Sequence, residues 1–203
     1  MIVTGSEGFI GKALCRELAK RDVEVIGLDR KSGIEATKVC ELLKNGGIDC
    51  VFHLAAQTSV FNGNLEQIRK DNIDTFMLVA DACNQYRVKL IYASSSTANP
   101  ENTTSMYGIS KHFDEQYASI YCKIATGCRL HNVYSPNPRE RTLLWFLLNK
   151  ESVSLYNCGQ NIRCFTYIDD IIQGLIFAIG CNRQLINICN VQPVTTMYFA
   201  TLV

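Results

Sequence analysis

The chain has 203 residues and a net charge of +1, from 20 Lys and Arg against 19 Asp and Glu; 47% of the residues are hydrophobic and 19% charged. That apolar content excludes a disordered chain, and the balanced charge offers no basic excess for gripping a nucleic-acid backbone. No apolar run approaches the ~20 residues of a membrane helix, and the opening MIVTGSEG lacks the charged and apolar regions of a secretory signal, so a cytoplasmic protein without a membrane partner is expected.

In chain order, Met1–Thr4 reads as a clipped strand. Phe9–Lys20 is helical by period, with Ile10, Leu14 and Leu18 on one face. Val23–Asp29 reads as a strand, and Ile34–Lys44 as a helix closed by Asn45-Gly46-Gly47. Ile48–Leu54 has the near-continuous apolar character of a strand buried on both faces. A long helix over Leu65–Tyr86, a strand over Val88–Ala93, a helix over Ser105–Ala125 and a strand over Cys128–Val133 follow. Thr142–Leu148 reads as helix, and Phe165–Ile168, Ile171–Ile179 and Leu185–Cys189 as strand, helix and strand. This alternation predicts an α/β fold built on a doubly wound parallel sheet, the Rossmann arrangement. One count departs from it. Only 18 residues separate Asp29 from Ile48, room for one crossover helix but not for helix, strand and helix. Either a sheet strand is absent or residues are missing near 30–34.

Ten cysteines stand at 15, 40, 50, 83, 122, 128, 158, 164, 181 and 189, with no C-x-x-C pair. Most lie in apolar stretches and read as reduced, buried small hydrophobes. No metal is expected, because a zinc site needs clustered ligands and the three histidines are scattered. His53, within an apolar run, reads as a core histidine. Asp169 and Asp170 read as caps of the helix that follows.

Two segments carry chemistry. Thr4–Gly11 (TGSEGFIG) follows a strand and opens a helix with the spacing G-x-x-G-x-x-G. Gly5 permits a tight turn, Gly8 lets the backbone approach a pyrophosphate, and Gly11 lets the helix pack closely on the sheet. The helix N-terminus then faces the phosphates. Asp29, at the end of the second strand, is placed to accept both hydroxyls of an adenosine ribose and to repel a 2′-phosphate. That favours NAD, although Arg30 beside it leaves NADP open. The second segment is Tyr107-Gly108-Ile109-Ser110-Lys111, preceded by Ser94-Ser95-Ser96 at a strand end. Residues four apart on a helix share a face, so Lys111 can lower the pKa of Tyr107. The tyrosine would then remove a hydroxyl proton while hydride leaves the same carbon.

The ordered blocks TGSEGFIG, Asp29, FHLAAQTSV (52–60), DNIDT (71–75), YASSS (92–96), YGISK (107–111), RLHNVYSP (129–136) and IRCFTYIDDI (162–171) resemble an extended short-chain dehydrogenase/reductase of the NAD-dependent epimerase/dehydratase family, the sugar-nucleotide enzymes. The resemblance implies a cofactor-binding domain over 1–134 and, over 135–203, part of a substrate lobe interleaved with a strand-helix-strand near 165–189. It implies cofactor contacts from Gly5, Gly8, Phe9, Ile10, Gly11, Asp29, Arg30, Leu54, Ala55 and Ala56. Asn72 matches a helix asparagine that steadies the site and is counted among the cofactor contacts. Ser96, with Ser95 beside it, matches the catalytic serine or threonine. Tyr107 matches the base, and Lys111 its partner and a holder of the nicotinamide ribose. Asn132 and Arg163 match contacts to the substrate diphosphate. A homodimer through the helices Leu65–Tyr86 and Ser105–Ala125 is implied as well.

Several positions depart from the family pattern. Cys164 replaces the usual aspartate and Ser135 the usual glycine, and the segment between Ser96 and Tyr107 is short. Thr97-Ala98 stands where 4,6-dehydratases carry an acidic pair, which disfavours dehydration. The expected reaction is NAD-dependent epimerisation of a nucleotide-diphosphate sugar, at C4, through a keto intermediate. An NAD(P)H-dependent 4-keto-sugar reductase, a 4,6-dehydratase and a non-enzymatic nucleotide sensor are the alternatives.

Overall fold

The computed structural model describes residues 1–58, 64–102, 105–150 and 152–203. Its elements are β1 (Ile2–Thr4), α1 (Phe9–Lys20), β2 (Ile26–Leu28), α2 (Val39–Lys44), β3 (Cys50–His53), α3 (Leu65–Ile68), α4 (Thr75–Tyr86), β4 (Lys89–Ser95), α5 (Met106–Tyr121), β5 (Ala125–Leu130), β6 (Val133–Tyr134), α6 (Leu143–Asn149), β7 (Ile162–Arg163), β8 (Thr166–Tyr167), α7 (Ile168–Phe177), β9 (Leu185–Ile188), β10 (Val194–Thr195) and α8 (Thr196–Thr201). Six strands form one sheet in the order β2-β1-β3-β4-β5-β9. Every pairing in it is parallel. The α/β fold of the sequence reading therefore stands. Two small sheets, β10-β7 and β6-β8, lie outside it.

The chain order of the sheet follows from burial. Ile2, Val3, Cys50, Val51, Phe52 and Ile91 are inaccessible to solvent. Strands apolar on both faces need a helical layer on each side. One apolar layer joins α2, α4 and α5 to the sheet through Val39, Phe76, Val79 and Ala118. The other joins α1 and α7 to it through Leu14, Leu18, Ile171 and Leu175. β2 forms the sheet edge. That edge matches the count between Asp29 and Ile48: one crossover fits, and among the described residues no strand flanks β2 on its outer side.

Several elements differ from expectation. The strand of Val23–Asp29 shrinks to three residues, Ile26–Leu28, as the sheet edge leaves the others unpaired. The strand predicted over Cys128–Val133 starts earlier, at Ala125, pairs from Ala125 to Leu130, and releases Val133 to the small sheet with β8. The helix expected from Ile171 already begins at Ile168, which places Asp169 and Asp170 in its first turn rather than before it; there their charges oppose the positive end of the helix dipole. The long helix over Leu65–Tyr86 contains a π-helical stretch, Arg69–Asp74, between α3 and α4. A wider turn of this kind shifts the helical phase, and here it buries both Asp71 and Asn72.

Phe76, fully buried on α4, packs edge-on to Tyr92 with ring centroids 5.0 Å apart and lies 5.9 Å from His53. Emptying that position should cost about 3–5 kcal/mol. Denaturant unfolding of Phe76→Ala is expected to show a loss of this size with an unchanged m-value.

Candidate active site

The loops at the C-terminal ends of β1, β2, β3, β4 and β5 surround one cavity of about 920 Å³. The parallel sheet aims all these strand ends at the same side, so residues far apart in sequence share one cleft. At one end stands the glycine turn. Gly5 has φ +70°, and a Cβ there would sit 2.8 Å from the Ala55 amide nitrogen. A Cβ on Gly11 would collide with the Gly5 carbonyl oxygen. The turn is therefore closed against both β3 and α1, and α1 points its free N–H groups into the cavity.

Asp29 lines the cavity, and its carboxylate already braces the turn: Oδ2 accepts from the Glu7 amide at 3.0 Å and Oδ1 from the Lys31 amide at 2.9 Å. Arg30, also lining the cavity, is engaged in a bidentate pair with Asp71, one arm Nη1 to Oδ2 at 2.8 Å and the other Nη2 to Oδ1. The Arg30 hydrogen bond holds the Asp71 carboxyl down at about 2. Gln57 Nε2 donates to the same carboxylate at 3.1 Å.

At the other end lie Ser96, Tyr107 and Lys111, all lining the cavity. The three adjacent serines are distinguished by their partners. Ser94 donates to Glu115, and Ser95 Oγ is 2.9 Å from Thr97 Oγ1 and accepts from the Thr97 amide. Among the described residues, Ser96 Oγ has no hydrogen-bond partner. Tyr107 lies in the first turn of α5, whose N-terminus is capped by Ser105 Oγ accepting from the Gly108 amide at 3.1 Å. The helix is fixed to the sheet by Arg129 on β5, which forms a bidentate pair with Glu115 at 2.8 and 2.6 Å.

Lys111 is almost wholly buried and donates to Asp114 Oδ2 at 3.0 Å. Burial opposes its charge, but Asp114 and then Tyr107 outweigh that and raise its pKa. Burial pushes the Asp114 carboxyl up to about 7 despite Lys111, and its Oδ1 is buried without a partner.

Gly5, Gly8, Phe9, Ile10, Gly11, Asp29, Arg30, Leu54, Ala55, Ala56, Ser95, Ser96, Tyr107, Lys111 and Asn132 all border the cavity. Ser59 and Val60, the end of the FHLAAQTSV block, lie outside the described residues. Asn72 does not reach the cavity. It is buried, accepts from the Gln57 amide at 2.7 Å, and donates to the Gln57 carbonyl and to Ser110 Oγ, each at 3.0 Å. It clasps the loop after β3 to the helix of Tyr107 and does not border the cavity, so the cofactor contact expected of it is not seen. Arg163 is exposed on β7, donates to the Ile162 carbonyl and is not a lining residue. Arg139 lines the cavity instead, with Nη1 donating to Thr58 Oγ1 at 3.0 Å. Sequence reasoning missed it, since an arginine in Asn137-Pro138-Arg139 carries no motif.

His53 is the expected core histidine: Nδ1 pairs with Thr4 Oγ1 at 2.9 Å, and burial lowers its pKa to about 3. All ten cysteines are free, but they are not uniformly buried. Cys50, Cys83, Cys122, Cys128 and Cys181 are buried, Cys158 is exposed and the rest are intermediate.

A family model, "NAD dependent epimerase/dehydratase family", matches residues 1–189. The chain belongs to that family. Among its curated relatives, an uncharacterized UDP-glucose epimerase of Bacillus subtilis, YtcB, is 27% identical over 231 residues, covering 89% of this chain and 72% of its own. UDP-glucuronate 4-epimerase 4 of Arabidopsis thaliana is 28% identical over 233 residues, covering 88% of this chain and 53% of its own. The solved structure of MoeE5 in complex with UDP-glucose and NAD superposes with a TM-score of 0.84 at 26% identity, covering 97% of this chain and 78% of that one.

Asp114 ionises near 7 in the folded chain and near its ordinary 3.8 when unfolded. The folded form therefore keeps a proton that the unfolded form has lost, and this stabilisation disappears as pH rises from about 4 through 7. In Asp114→Asn that loss is absent, and Lys111, now without its partner, also favours folding more at higher pH. Thermal unfolding at pH 5 and pH 8 should show the variant gaining on wild type at pH 8.

Proposed function

We propose that this chain is an NAD-dependent nucleotide-sugar epimerase acting at C4. The observation that carries this reading is the single cavity with the glycine turn and Asp29 at one end and Ser96, Tyr107 and Lys111 at the other. Gly5, Gly8, Phe9, Ile10, Asp29, Leu54, Ala55 and Ala56 would hold the dinucleotide, whose pyrophosphate fits the N-terminus of α1. When bound, NAD supplies a hydride acceptor and donor. Lys111 is buried and interacts electrostatically with Tyr107. Tyr107 then takes the proton of the sugar hydroxyl at the carbon to be oxidised, and Ser96 Oγ donates a hydrogen bond to that oxygen. After the keto sugar turns its other face, Tyr107 returns the proton. Asn132 and Arg139 suit the diphosphate; Arg163, facing elsewhere, does not. Thr97, which lines the cavity, and Ala98 offer no acid or base for expelling a second hydroxyl, so inversion is favoured over dehydration.

This reading divides the chain into a cofactor-binding part over 1–134 and part of a substrate lobe over 135–203. It includes a cytoplasmic homodimer. Leu78 on α4 and Ile109, Ile120 and Tyr121 on α5 are exposed on the two helices proposed as the interface. Among the described residues no helix is long and apolar enough to cross a membrane.

The test is a panel of UDP-, dTDP- and GDP-sugars. Inversion without net cofactor change supports the epimerase, whereas steady loss of NADPH overturns it in favour of the reductase. Tyr107→Phe should lower kcat by about 10²–10⁴-fold, and Ser96→Ala by about a hundredfold. The engagement of Arg30 by Asp71 predicts a strong preference for NAD. In Asp71→Asn the guanidinium is released, and the ratio of NADP to NAD binding should rise at least tenfold by calorimetry.

A further inference from the structure

Outside the catalytic constellation, the fold gathers three soft ligands from distant parts of the sequence. One ring nitrogen of His131 and the Sγ atoms of Cys164 and Cys189 all lie within 4.8 Å of one another, each residue half-buried. We propose that His131, Cys164 and Cys189 bind one Zn²⁺ ion, which clips together the three loops that carry them.

The register of the sheet brings two of the ligands side by side. Leu130 on β5 pairs with Ile188 on β9, so His131 and Cys189 are each the first residue beyond paired strand ends. Cys164 arrives from the turn between β7 and β8, at the position where the family resemblance has an aspartate. Thr166, almost fully buried, ties the three segments before any metal arrives. Its amide donates to the Asn132 carbonyl at 3.2 Å, its hydroxyl donates to the Cys164 carbonyl at 3.3 Å, and the same oxygen accepts from the Asn190 amide at 3.1 Å. The segments that carry the ligands are therefore held together by the amide and hydroxyl of one buried threonine.

Their chemistry suits zinc. Two thiolates and a neutral imidazole carry the charge that balances Zn²⁺. Zn–S and Zn–N bonds of about 2.3 and 2.0 Å in a tetrahedron place the ligand atoms about 3.5–3.8 Å apart, so a closure of about 1 Å completes the site. The fourth position is left to water. Asn187 Oδ1 lies 3.1 Å from His131 Nε2, the kind of partner that fixes a ligating imidazole's orientation and tautomer. Asn132 and Phe165, the sequence neighbours of His131 and Cys164, line the main cavity, so the clip would brace that wall of it.

The test uses the full chain, purified with a non-thiol reductant, stripped by chelator and titrated with Co²⁺. The expected result is thiolate-to-cobalt charge-transfer absorption that saturates at one equivalent and is abolished by added Zn²⁺. Cys158→Ser should keep it, and Cys164→Ser with Cys189→Ser should lose it. Zn²⁺ affinity, read by competition with a chromophoric chelator, should fall about 10–100-fold in Asn187→Ala, a variant that leaves the ligands themselves in place. Absence of the absorption in wild type overturns the proposal, as does its persistence in the double variant. A Cys164–Cys189 disulfide that survives the reductant, seen by intact mass, overturns it too.

Discussion

One π-helical stretch, Arg69–Asp74, ties together the segments that wall the cleft. It carries two consecutive buried polar residues, Asp71 and Asn72, which point to different partners. Asp71 reaches the glycine-turn end, where it pairs with Arg30 and accepts from Gln57. Asn72 reaches the other way and joins the Gln57 backbone to Ser110, whose hydroxyl donates to the Tyr107 carbonyl at 2.8 Å. The loop after β3, the end of β2 and the first turn of α5 thus share one clasp. Buried amide and carboxylate groups are costly unless each polar atom is matched, and here the matching partners are the walls of the cavity itself.

The electrostatics around Tyr107 follow the same logic. Lys111 is buried where an isolated ammonium would lose its proton, and Asp114, one turn further along α5, keeps it charged. Glu115, next to Asp114, is neutralised by Arg129 across the strand, and its remaining hydrogen bond goes to Ser94. Two acids at successive positions therefore serve different cations. Burial then raises the Asp114 pKa to about 7, which makes the charge beside the tyrosine–lysine pair sensitive to pH near neutrality.

How much of this the sequence disclosed depended on range. The helix Phe9–Lys20 was legible to its end residues because apolar period, glycine spacing and strand context agree there. The cavity-lining positions 54–56, 95–96, 107 and 111 were legible from motifs, since short blocks at strand ends carry their own register. What could not be read were features fixed by tertiary pairing. The length of β2 is set by having β1 as its only partner, the phase shift at Arg69–Asp74 by what surrounds it, and the outward turn of Arg163 by its seat on the small sheet with β10. The convergence of His131, Cys164 and Cys189 was hidden for the same reason, because no spacing rule links residues that meet only through sheet register.

The sheet edge gives the short connection after Asp29 a physical meaning. The alignment with YtcB runs over 231 positions while using 89% of a 203-residue chain, so the relative carries residues that this chain lacks. A doubly wound sheet with a further strand would cover β2 on its outer side; here β2 is three residues long and ends the sheet. Its exposed rim is blunted locally. Asp29 accepts from the Lys31 amide, Ser32 Oγ donates to the Asp29 carbonyl at 2.9 Å, and Gly33 in the left-handed region closes the turn. Asp29 is thereby fixed by the turn that follows it as well as by the glycine turn beside it. The Asp29 carboxylate is held in place at the edge of the sheet, with no strand on the outer side of β2 among the described residues.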